Sequence, residues 1–232
     1  MFSYYGSKSK IAHFYPKPQF DDLMEVFAGS ARYSLLYFEK NVTLIDKDPV
    51  IIGIWNYLKT ASPADILGLP DVPKDMCEYP NLSEVEQHFL GFCWAAGGQY
   101  PGKRVGSFMS SEPMYWQRAK KRVAESLFKI QHWHIQLGDY RDAPDKEATW
   151  FIDPPYQHGG HKYRFGTRQL DFAELRQWLL SRKGQTIVCE NDKADWMQFQ
   201  PLTRNQGAQN NNMMECIWTN QPRPVQTSIS FA

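Results

Sequence analysis

The stretch TWFIDPPYQHGG, from Thr149 to Gly160, decides how the rest of the chain is interpreted. Its first four residues favour a buried strand, and they run directly into an acid, two prolines and a tyrosine. A residue that precedes proline is pushed toward extended backbone. We therefore expect Asp153 to end the strand and to project its carboxylate beyond it, next to the aromatic ring of Tyr156.

Pro154 and Pro155 make this segment rigid, because proline fixes its own φ and has no N–H to donate. The segment therefore presents one carboxylate beside carbonyl oxygens. Such a set of acceptors suits an exocyclic amino group on a planar base, because both amino hydrogens find a partner and the nitrogen lone pair turns outward. A plain Pro-Pro turn at the end of a strand is the alternative interpretation.

Predicted strands and helices alternate on both sides of this stretch. Apolar, β-branched runs predict strands, and apolar residues at helical spacing predict helices. The strands are DLMEVF, VTLIDKD, HIQLGDY, ATWFID and QTIVCEN, and the helices include AGSARYSLLYFEK, PVIIGIWNYLK and FAELRQWLLSRK. MMECIWTN and VQTSISFA predict two more strands joined by a turn. The pattern predicts an α/β, doubly wound sheet with an antiparallel C-terminal edge.

A second candidate site lies at the first strand, in the segment MEVFAGSARY. Gly29 follows that strand and allows close approach of a ligand, and Asp46 ends the next strand 46 − 29 = 17 residues later. An acid at this spacing is the usual acceptor for the ribose hydroxyls of a nucleoside. The turn carries only one glycine and no GKS or GKT, so it does not fit a phosphate-binding loop.

The section from residue 61 to residue 133 differs from the flanks and predicts a mainly helical insertion. Ser83 and Glu86 form a predicted capping box. Between Thr60 and Leu90 six acids stand against one lysine, whereas between Lys103 and Lys129 seven bases stand against two acids. A basic segment suits contact with phosphates, and a solvated helix face is the alternative.

These motifs resemble the Dam-type N6-adenine DNA methyltransferases, in which the cofactor motif comes first, the recognition section next and DPPY last. FAGS (Phe27–Ser30) stands where the family has FxGxG, and YYGSK (Tyr4–Lys8) resembles its N-terminal segment beside the cofactor. FAELRQWLL and IVCEND resemble the later helix and strand behind the pocket of the target base. Ala31 replaces the second glycine of FxGxG, which is a departure from the family pattern.

The resemblance implies a Rossmann-like methyltransferase sheet that binds S-adenosylmethionine and transfers its methyl group to N6 of an adenine flipped out of DNA. It implies a catalytic domain of residues 1–60 and 134–232 around a DNA-recognition insertion of residues 61–133. The implied catalytic residues are Asp153, Pro154, Pro155 and Tyr156. The implied cofactor residues are Tyr5, Gly6, Lys8, Phe27, Ala28, Gly29, Ser30, Asp46 (on the ribose), Asp139 and Tyr140.

Basic residues of the insertion and of the segment after DPPY are expected to contact DNA phosphates. They are Lys103, Arg104, Arg118, Lys120, Lys121, Arg122, Lys162 and Arg164. A solvated surface loop is an equally good interpretation of the segment after DPPY. His158 and His161 lie in that segment too, but no cysteine or acid beside them supports a metal site, so no metal is expected.

Composition bounds the remaining possibilities. The 232 residues carry a net charge of +1, and no apolar run is long enough for a membrane span. No CxxC pair occurs, so we expect reduced thiols in a cytoplasmic protein, which we expect to be monomeric or weakly dimeric.

The alternatives to an N6-adenine DNA methyltransferase are an N4-cytosine DNA methyltransferase, an RNA methyltransferase or a non-catalytic DNA-binding protein of this fold. The absence of GxGxxG argues against a nicotinamide oxidoreductase. The target sequence and any restriction-modification partner stay open.

Overall fold

A seven-stranded mixed sheet forms the centre of the protein. The computed structural model describes residues 1–72, 82–95, 98–206 and 212–221. Within them the strands are β1 (Asp22–Val26), β2 (Asn41–Asp46), β3 (His134–Leu137), β4 (Glu147–Ile152), β5 (Lys183–Asn191), β6 (Gln200–Gln206) and β7 (Asn212–Thr219).

The strand order is β3-β2-β1-β4-β5-β7-β6. The first five strands in this order run parallel, whereas β7 is antiparallel to β5 and β6 is antiparallel to β7. From β1 the chain winds outward to β2 and β3, and it then returns to start a second half at β4. The predicted doubly wound, Rossmann-like sheet with an antiparallel edge is confirmed.

The helices in the described part of the chain are α1 (Arg32–Leu36), α2 (Pro49–Thr60), α3 (Pro63–Gly68), α4 (Glu84–Trp94), α5 (Ser107–Ser111), α6 (Pro113–Ala124) and α7 (Phe172–Leu180). Asp48 caps α2 by accepting from the backbone N–H of Val50, and Pro49 takes the first helical position. Ser83 and Glu86 form the predicted capping box at the start of α4. No helix among these residues is long and apolar enough to cross a membrane.

Each face of the sheet has its own hydrophobic core, because successive strand residues point to opposite faces. On β1, Leu23 belongs to one core, and Met24 and Val26 belong to the other. The first core packs under α2, where Trp55 is fully buried, and the second packs under α7. Helices therefore cover both faces, as parallel strands require.

The section between residues 61 and 133 is helical in its described parts and joins the first core. Phe89 of α4 and Trp116 of α6 are fully buried in the same cluster as Leu23 and Trp55. The indole of Trp116 also donates to the carbonyl of Pro70, 2.9 Å away. The insertion therefore shares the core of the sheet that carries it.

One predicted element differs from the structure. The partner of β7 at the antiparallel edge is β6 (Gln200–Gln206), a strand that the sequence did not predict. Its residues are largely polar because an edge strand needs no apolar run. The stretch VQTSISFA (225–232), predicted as that partner, lies outside the described residues, and so does Cys77.

Candidate active site

The site lies where the winding of the sheet reverses, between β1 and β4. Val26 pairs with Ile45 of β2 on one side and with Ile152 of β4 on the other. The residues that follow these strands therefore leave the same edge of the sheet next to one another, with Phe27 between Asp46 and Asp153. In open α/β sheets, ligands bind in the crevice at this reversal.

Hydrogen bonds from both neighbouring elements fix the glycine turn after β1. The N–H of Gly29 donates to Oδ2 of Asp46 at 2.9 Å, and the carbonyl of Gly29 accepts from the indole of Trp55 at 2.9 Å. Gly29 has φ +44°, and a Cβ at this position would lie 3.2 Å from the ring of Tyr4. Only glycine fits such a conformation at so close an approach.

Two other residues of this turn adopt left-handed backbone as well. Phe27 has φ 64° and Ala31 has φ 44°, the latter immediately before α1. A non-glycine residue in this region carries roughly 1–2 kcal/mol of strain. The positive φ of Ala31 explains why glycine suits the second glycine position of FxGxG. It also identifies Ala31 as a strained residue.

Asp46 supports the turn as well as facing the crevice. Its Oδ2 accepts from Gly29, and its Oδ1 accepts from the backbone N–H of Asp48 at 2.9 Å. Burial raises the pKa of Asp46 to about 6, although the backbone donors oppose the shift. Each carboxylate oxygen has a second lone pair that a ligand hydroxyl can use.

All ten predicted cofactor residues line one cleft, which has a volume of about 950 Å³ including its open mouth. Tyr5, Gly6 and Lys8 come from the N-terminal segment, and Asp139 and Tyr140 follow β3. The rings of Phe27 and Tyr140 are stacked with centroids 5.6 Å apart. Asp153 and Pro155 lie in the wall of the same cleft, so the two motifs meet in one space.

Asp153 is held by Lys8. The ammonium of Lys8 donates to Oδ1 of Asp153 at 2.7 Å and to the carbonyl of Gly6 at 3.3 Å. Burial raises the pKa of Asp153 to about 6, and the charge of Lys8 limits the increase. Lys8 was predicted with the cofactor residues, and it lines the cleft, but its charge is turned toward Asp153.

A second carboxylate, Glu215 of β7, lies behind this pair. Its Oε1 accepts from the hydroxyls of Tyr15, at 2.5 Å, and Tyr156, and it lies 3.7 Å from the ammonium of Lys8. Sequence analysis missed Glu215, because β7 is antiparallel and only the sheet brings its first half to the edge where β1 and β4 end. Its one signal was an acid within an apolar strand, MMECIWTN.

Tyr156 points inward. Its hydroxyl donates to Glu215, and the ammonium of Lys8 lies over its ring, 4.8 Å from the centroid. Pro154 is buried, and Pro155 is partly exposed at the cleft. The predicted stacking of a base on Tyr156 stays a prediction, and Lys8 leaves at most one face of the ring for it.

Two further buried acids lie close enough to Asp153 to interact with its charge. Glu25 of β1 accepts from the backbone N–H and the hydroxyl of Ser34, and burial raises the pKa of Glu25 to about 8. Glu190 of β5 accepts from the backbone N–H groups of Gln157 and Asn191, and burial raises its pKa to about 7. Several carboxylates thus share one poorly solvated region.

The segment after DPPY packs along the mouth of the cleft. The ring of Tyr163 contacts those of Tyr4 and Tyr5, and its hydroxyl donates to the carbonyl of Tyr5 at 3.2 Å. Arg164 pairs with Asp48 at 3.4 Å. Lys162 and Arg164, two of the predicted DNA contacts, are exposed at the rim of this cleft.

Of the predicted basic residues of the insertion, Lys120 does not face solvent. It is 4% exposed, and its ammonium donates to the carbonyl of Leu69 at 2.9 Å and pairs with Asp71 at 2.8 Å. Its charge joins α6 to the segment after α3, so the prediction of a phosphate contact at Lys120 is wrong. The exposed ones are Lys103, Arg104, Arg118, Lys121 and Arg122.

Comparison with known proteins adds little to this geometry. No protein-family model matches the sequence, and no curated protein matches it at the significance required. Among solved structures, the chain is similar to the rRNA methyltransferase AviRa from Streptomyces viridochromogenes, with 15% identity and a TM-score of 0.38. The match covers 84% of this chain and 75% of that one. A likeness this distant carries no argument about the activity.

Proposed function

We propose that this protein is an S-adenosylmethionine-dependent methyltransferase that modifies N6 of an adenine flipped out of DNA. The observation that carries the proposal is the single cleft in which the glycine turn of β1, Asp46 of β2 and Asp153 of the DPPY segment meet. The glycine turn and Asp46 suit a nucleoside cofactor, and Asp153 suits a planar amine substrate. The two sets of residues lie next to each other in this cleft.

The cleft supplies a suitable group for each part of the cofactor. Asp46 offers acceptors for ribose hydroxyls, and Gly29 gives backbone access without a side chain. Phe27 and Tyr140 provide aromatic surface for a purine. Bound there, S-adenosylmethionine would supply an electrophilic methyl group at the end of the cleft near Asp153.

Asp153 is suited to orient and stabilise the amine. Because its pKa is about 6, Asp153 is mainly ionised at neutral pH, and its Oδ2 accepts from no donor in the described part of the chain. A carboxylate held by Lys8 stabilises the positive charge that grows on the nitrogen as the N–C bond forms and the S–C bond of the sulfonium breaks, without much reorganisation. S-adenosylhomocysteine would be the leaving group, and the methylated nitrogen would then lose one proton to water. The proline carbonyls are acceptors for the second amino hydrogen.

DNA is proposed as the substrate on two grounds. The DPPY resemblance favours adenine, and exposed cations and aromatics occur together on the insertion. Phe108 and Tyr115 are 58% and 41% exposed, and the guanidinium of Arg122 lies over the ring of Tyr115. Cations supply affinity for phosphates, and exposed rings can stack on bases.

The insertion is also joined to the cleft. The N–H of Tyr5 donates to the carbonyl of Gly98 at 3.1 Å, so the loop that carries Lys103 and Arg104 begins beside the cofactor segment. A nucleic acid lying on this loop would pass beside Tyr5, which lines the same cleft as Asp153. A flipped base is needed, because the amino group cannot reach the cleft from inside a duplex.

Methyl transfer from tritiated S-adenosylmethionine tests the proposal. The substrates are duplex DNA free of N6-methyladenine, the same DNA denatured, and total RNA, with the modified base identified by mass spectrometry. We expect label in duplex DNA, as N6-methyladenine. Label as N4-methylcytosine, or in RNA alone, would replace the proposed substrate with one of the alternatives. No transfer to any of the three would contradict the proposal.

A further inference from the structure

Glu215 is a buried carboxylate that accepts from two tyrosine hydroxyls and faces a buried lysine. The hydroxyls of Tyr15 and Tyr156 both donate to the same oxygen, Oε1, and the ammonium of Lys8 lies 3.7 Å from it. Glu215 is 4% exposed and Lys8 is 6% exposed, so this arrangement lies almost entirely out of water.

The two acids beside Lys8 lie at different distances from its ammonium group. Lys8 contacts Asp153 at 2.7 Å and Glu215 at 3.7 Å, so one buried cation lies between two acids and favours the one that faces the cleft. A buried charge is costly unless it keeps a partner. If a substrate amine bound to Asp153 weakened the bond from Lys8 and no second acid were present, Lys8 would lack a charged partner.

We propose that Glu215 is a positioning residue of the candidate site, which keeps Lys8 paired while Asp153 engages a substrate amine and which fixes the ring of Tyr156 through its hydroxyl. The inference rests on the proposed function for its catalytic meaning. The coupling of the three charged groups can be measured without any substrate.

The geometry explains how Glu215 acts on Asp153 through Lys8. A donor that approaches Asp153 weakens its bond to Lys8, and the ammonium then moves toward Glu215 without leaving the buried region. Tyr15 and Tyr156 hold Glu215 by Oε1, the same oxygen that faces Lys8. Burial raises the pKa of both phenols well above the usual range, so the tyrosines remain donors throughout.

The titration of Asp153 reports this coupling, and several groups face it. Lys8 lowers its pKa, and Glu215 raises it. Glu25 of β1 and Glu190 of β5 lie near enough to interact with its charge, as do Cys189 and the phenols of Tyr15, Tyr156 and Tyr163. Variants of Lys8 and Glu215 should therefore shift the titration in opposite directions.

The experiment is a carbon-13 NMR titration of the aspartate carboxyl groups in the intact protein, with the Asp153 signal assigned by its loss in Asp153→Asn. In Glu215→Gln, which keeps an acceptor for the tyrosines, the midpoint should fall by about one pH unit. In Lys8→Met it should rise by a similar amount. Tyr15→Phe is the matched control, because it removes a bond to Glu215 and no charge, and its midpoint should stay near that of the wild type.

An unchanged midpoint in Glu215→Gln overturns the inference, whatever the protein methylates. The unmodified protein, labelled at glutamate as well, gives a second measurement that needs no folded variant, because the carbon-13 chemical shift of the Glu215 carboxyl group should respond when Asp153 is titrated. A Glu215 chemical shift that does not respond to the titration of Asp153 overturns the inference. If the coupling is present but no substrate is methylated, only the proposed function fails.

The corresponding kinetic measurement is the pH dependence of the rate of methyl transfer, in particular the acidic limb, where the rate falls as the pH is lowered. The limb should move to lower pH in Glu215→Gln, together with a lower kcat at neutral pH. A glutamate that only stabilised the fold would lower the amount of active enzyme and leave the limb in place.

Discussion

Ala31 is one of two non-glycine residues with positive φ in the glycine turn, the other being Phe27. The φ of 44° at Ala31 is the conformation that glycine adopts without cost. Glycine at either Ala31 or Ala28 removes a buried methyl group and adds entropy to the unfolded chain, so we expect Ala31→Gly to be more stable than Ala28→Gly by about the 1–2 kcal/mol of strain that only Ala31 carries. Urea unfolding measures the change.

Ala28→Gly is the matched control for Ala31→Gly. Ala28 lies in the same turn and is 3% exposed, but its φ is not positive. Glycine there gains only unfolded-state entropy and loses a buried methyl group, so the control should be destabilised. If both variants lose stability equally, Ala31 is not strained.

Asp46 has two roles that different substitutions separate. Asp46→Ala leaves the buried N–H groups of Gly29 and Asp48 without an acceptor, so it should cost about 1–3 kcal/mol of stability. Asp46→Asn keeps one acceptor oxygen and should hold the fold better while weakening the binding of S-adenosylhomocysteine. Calorimetric titration measures the affinity, with Asp21→Asn, an exposed acid paired with Lys40, as the control.

Unchanged affinity in a folded Asp46→Asn variant would remove Asp46 from the cofactor site. The weaker fold expected for Asp46→Ala was not predictable from sequence. The spacing of Gly29 and Asp46 predicts that they meet, but only the structure shows that they bond to each other. Motif spacing can predict which residues at a strand end are functional, but it does not predict the hydrogen bonds between those residues.

At the scale of elements, α6 is the segment whose charges are expected to reach DNA. Arg118 and Lys121 are exposed, whereas Lys120 is buried against Asp71. Changing Arg118 and Lys121 together to glutamine should reduce the slope of log affinity against log salt by about one for each lost phosphate contact. Fluorescence anisotropy with labelled duplex DNA measures the slope.

The control for α6 is the pair Lys146 and Lys183, changed together to glutamine. They precede and begin β4 and β5, so they lie at the opposite edge of the sheet from the cleft. Each pairs with one acid, as Lys121 does. The control should keep the wild-type slope. Equal slopes in both double variants would make α6 a solvated face.

The predictable elements were those buried on both faces. β1, β4 and β5 appear in the sequence as apolar runs because helices cover both sides of the sheet. β6 escaped prediction because it lies at the edge, where QPLTRNQ needs no apolar pattern. The packing of α6 against α3 and the segment after it depends on Lys120 and Trp116, which no local pattern reveals.

At the scale of the whole molecule, buried acids make stability depend on pH. Burial raises the pKa of Glu25 to about 8, well above its unfolded value of 4.5. The folded state therefore holds that proton more tightly, and the stability it contributes is present below pH 4.5 and lost as pH rises through about 8. Glu25→Gln removes this dependence.

The free energy of unfolding of Glu25→Gln, minus that of the wild type, should therefore increase between pH 5 and pH 8. The limit is about 1.4 kcal/mol for each pH unit. Glu39→Gln, at an exposed acid, is the control and should give a constant difference. A flat difference for Glu25→Gln as well would show that Glu25 titrates normally.

The topology of the sheet explains why so few residues of the site are adjacent in sequence. Lys8, Asp46, Asp153 and Glu215 come from four separate parts of the chain, and they meet because β1, β2 and β4 end where antiparallel β7 begins. The first three were recognisable from motifs. Glu215 was not, because its place depends on the direction and register of β7.

The most direct test of the account uses Asp153→Asn, which keeps the size of the side chain and removes its charge. Binding of S-adenosylhomocysteine by calorimetry and methyl transfer to duplex DNA are measured on the same preparation. The account predicts cofactor affinity within a few fold of the wild type and a loss of methyl transfer of roughly a hundredfold or more, the scale of removing one transition-state contact. Methyl transfer at the wild-type rate would contradict it.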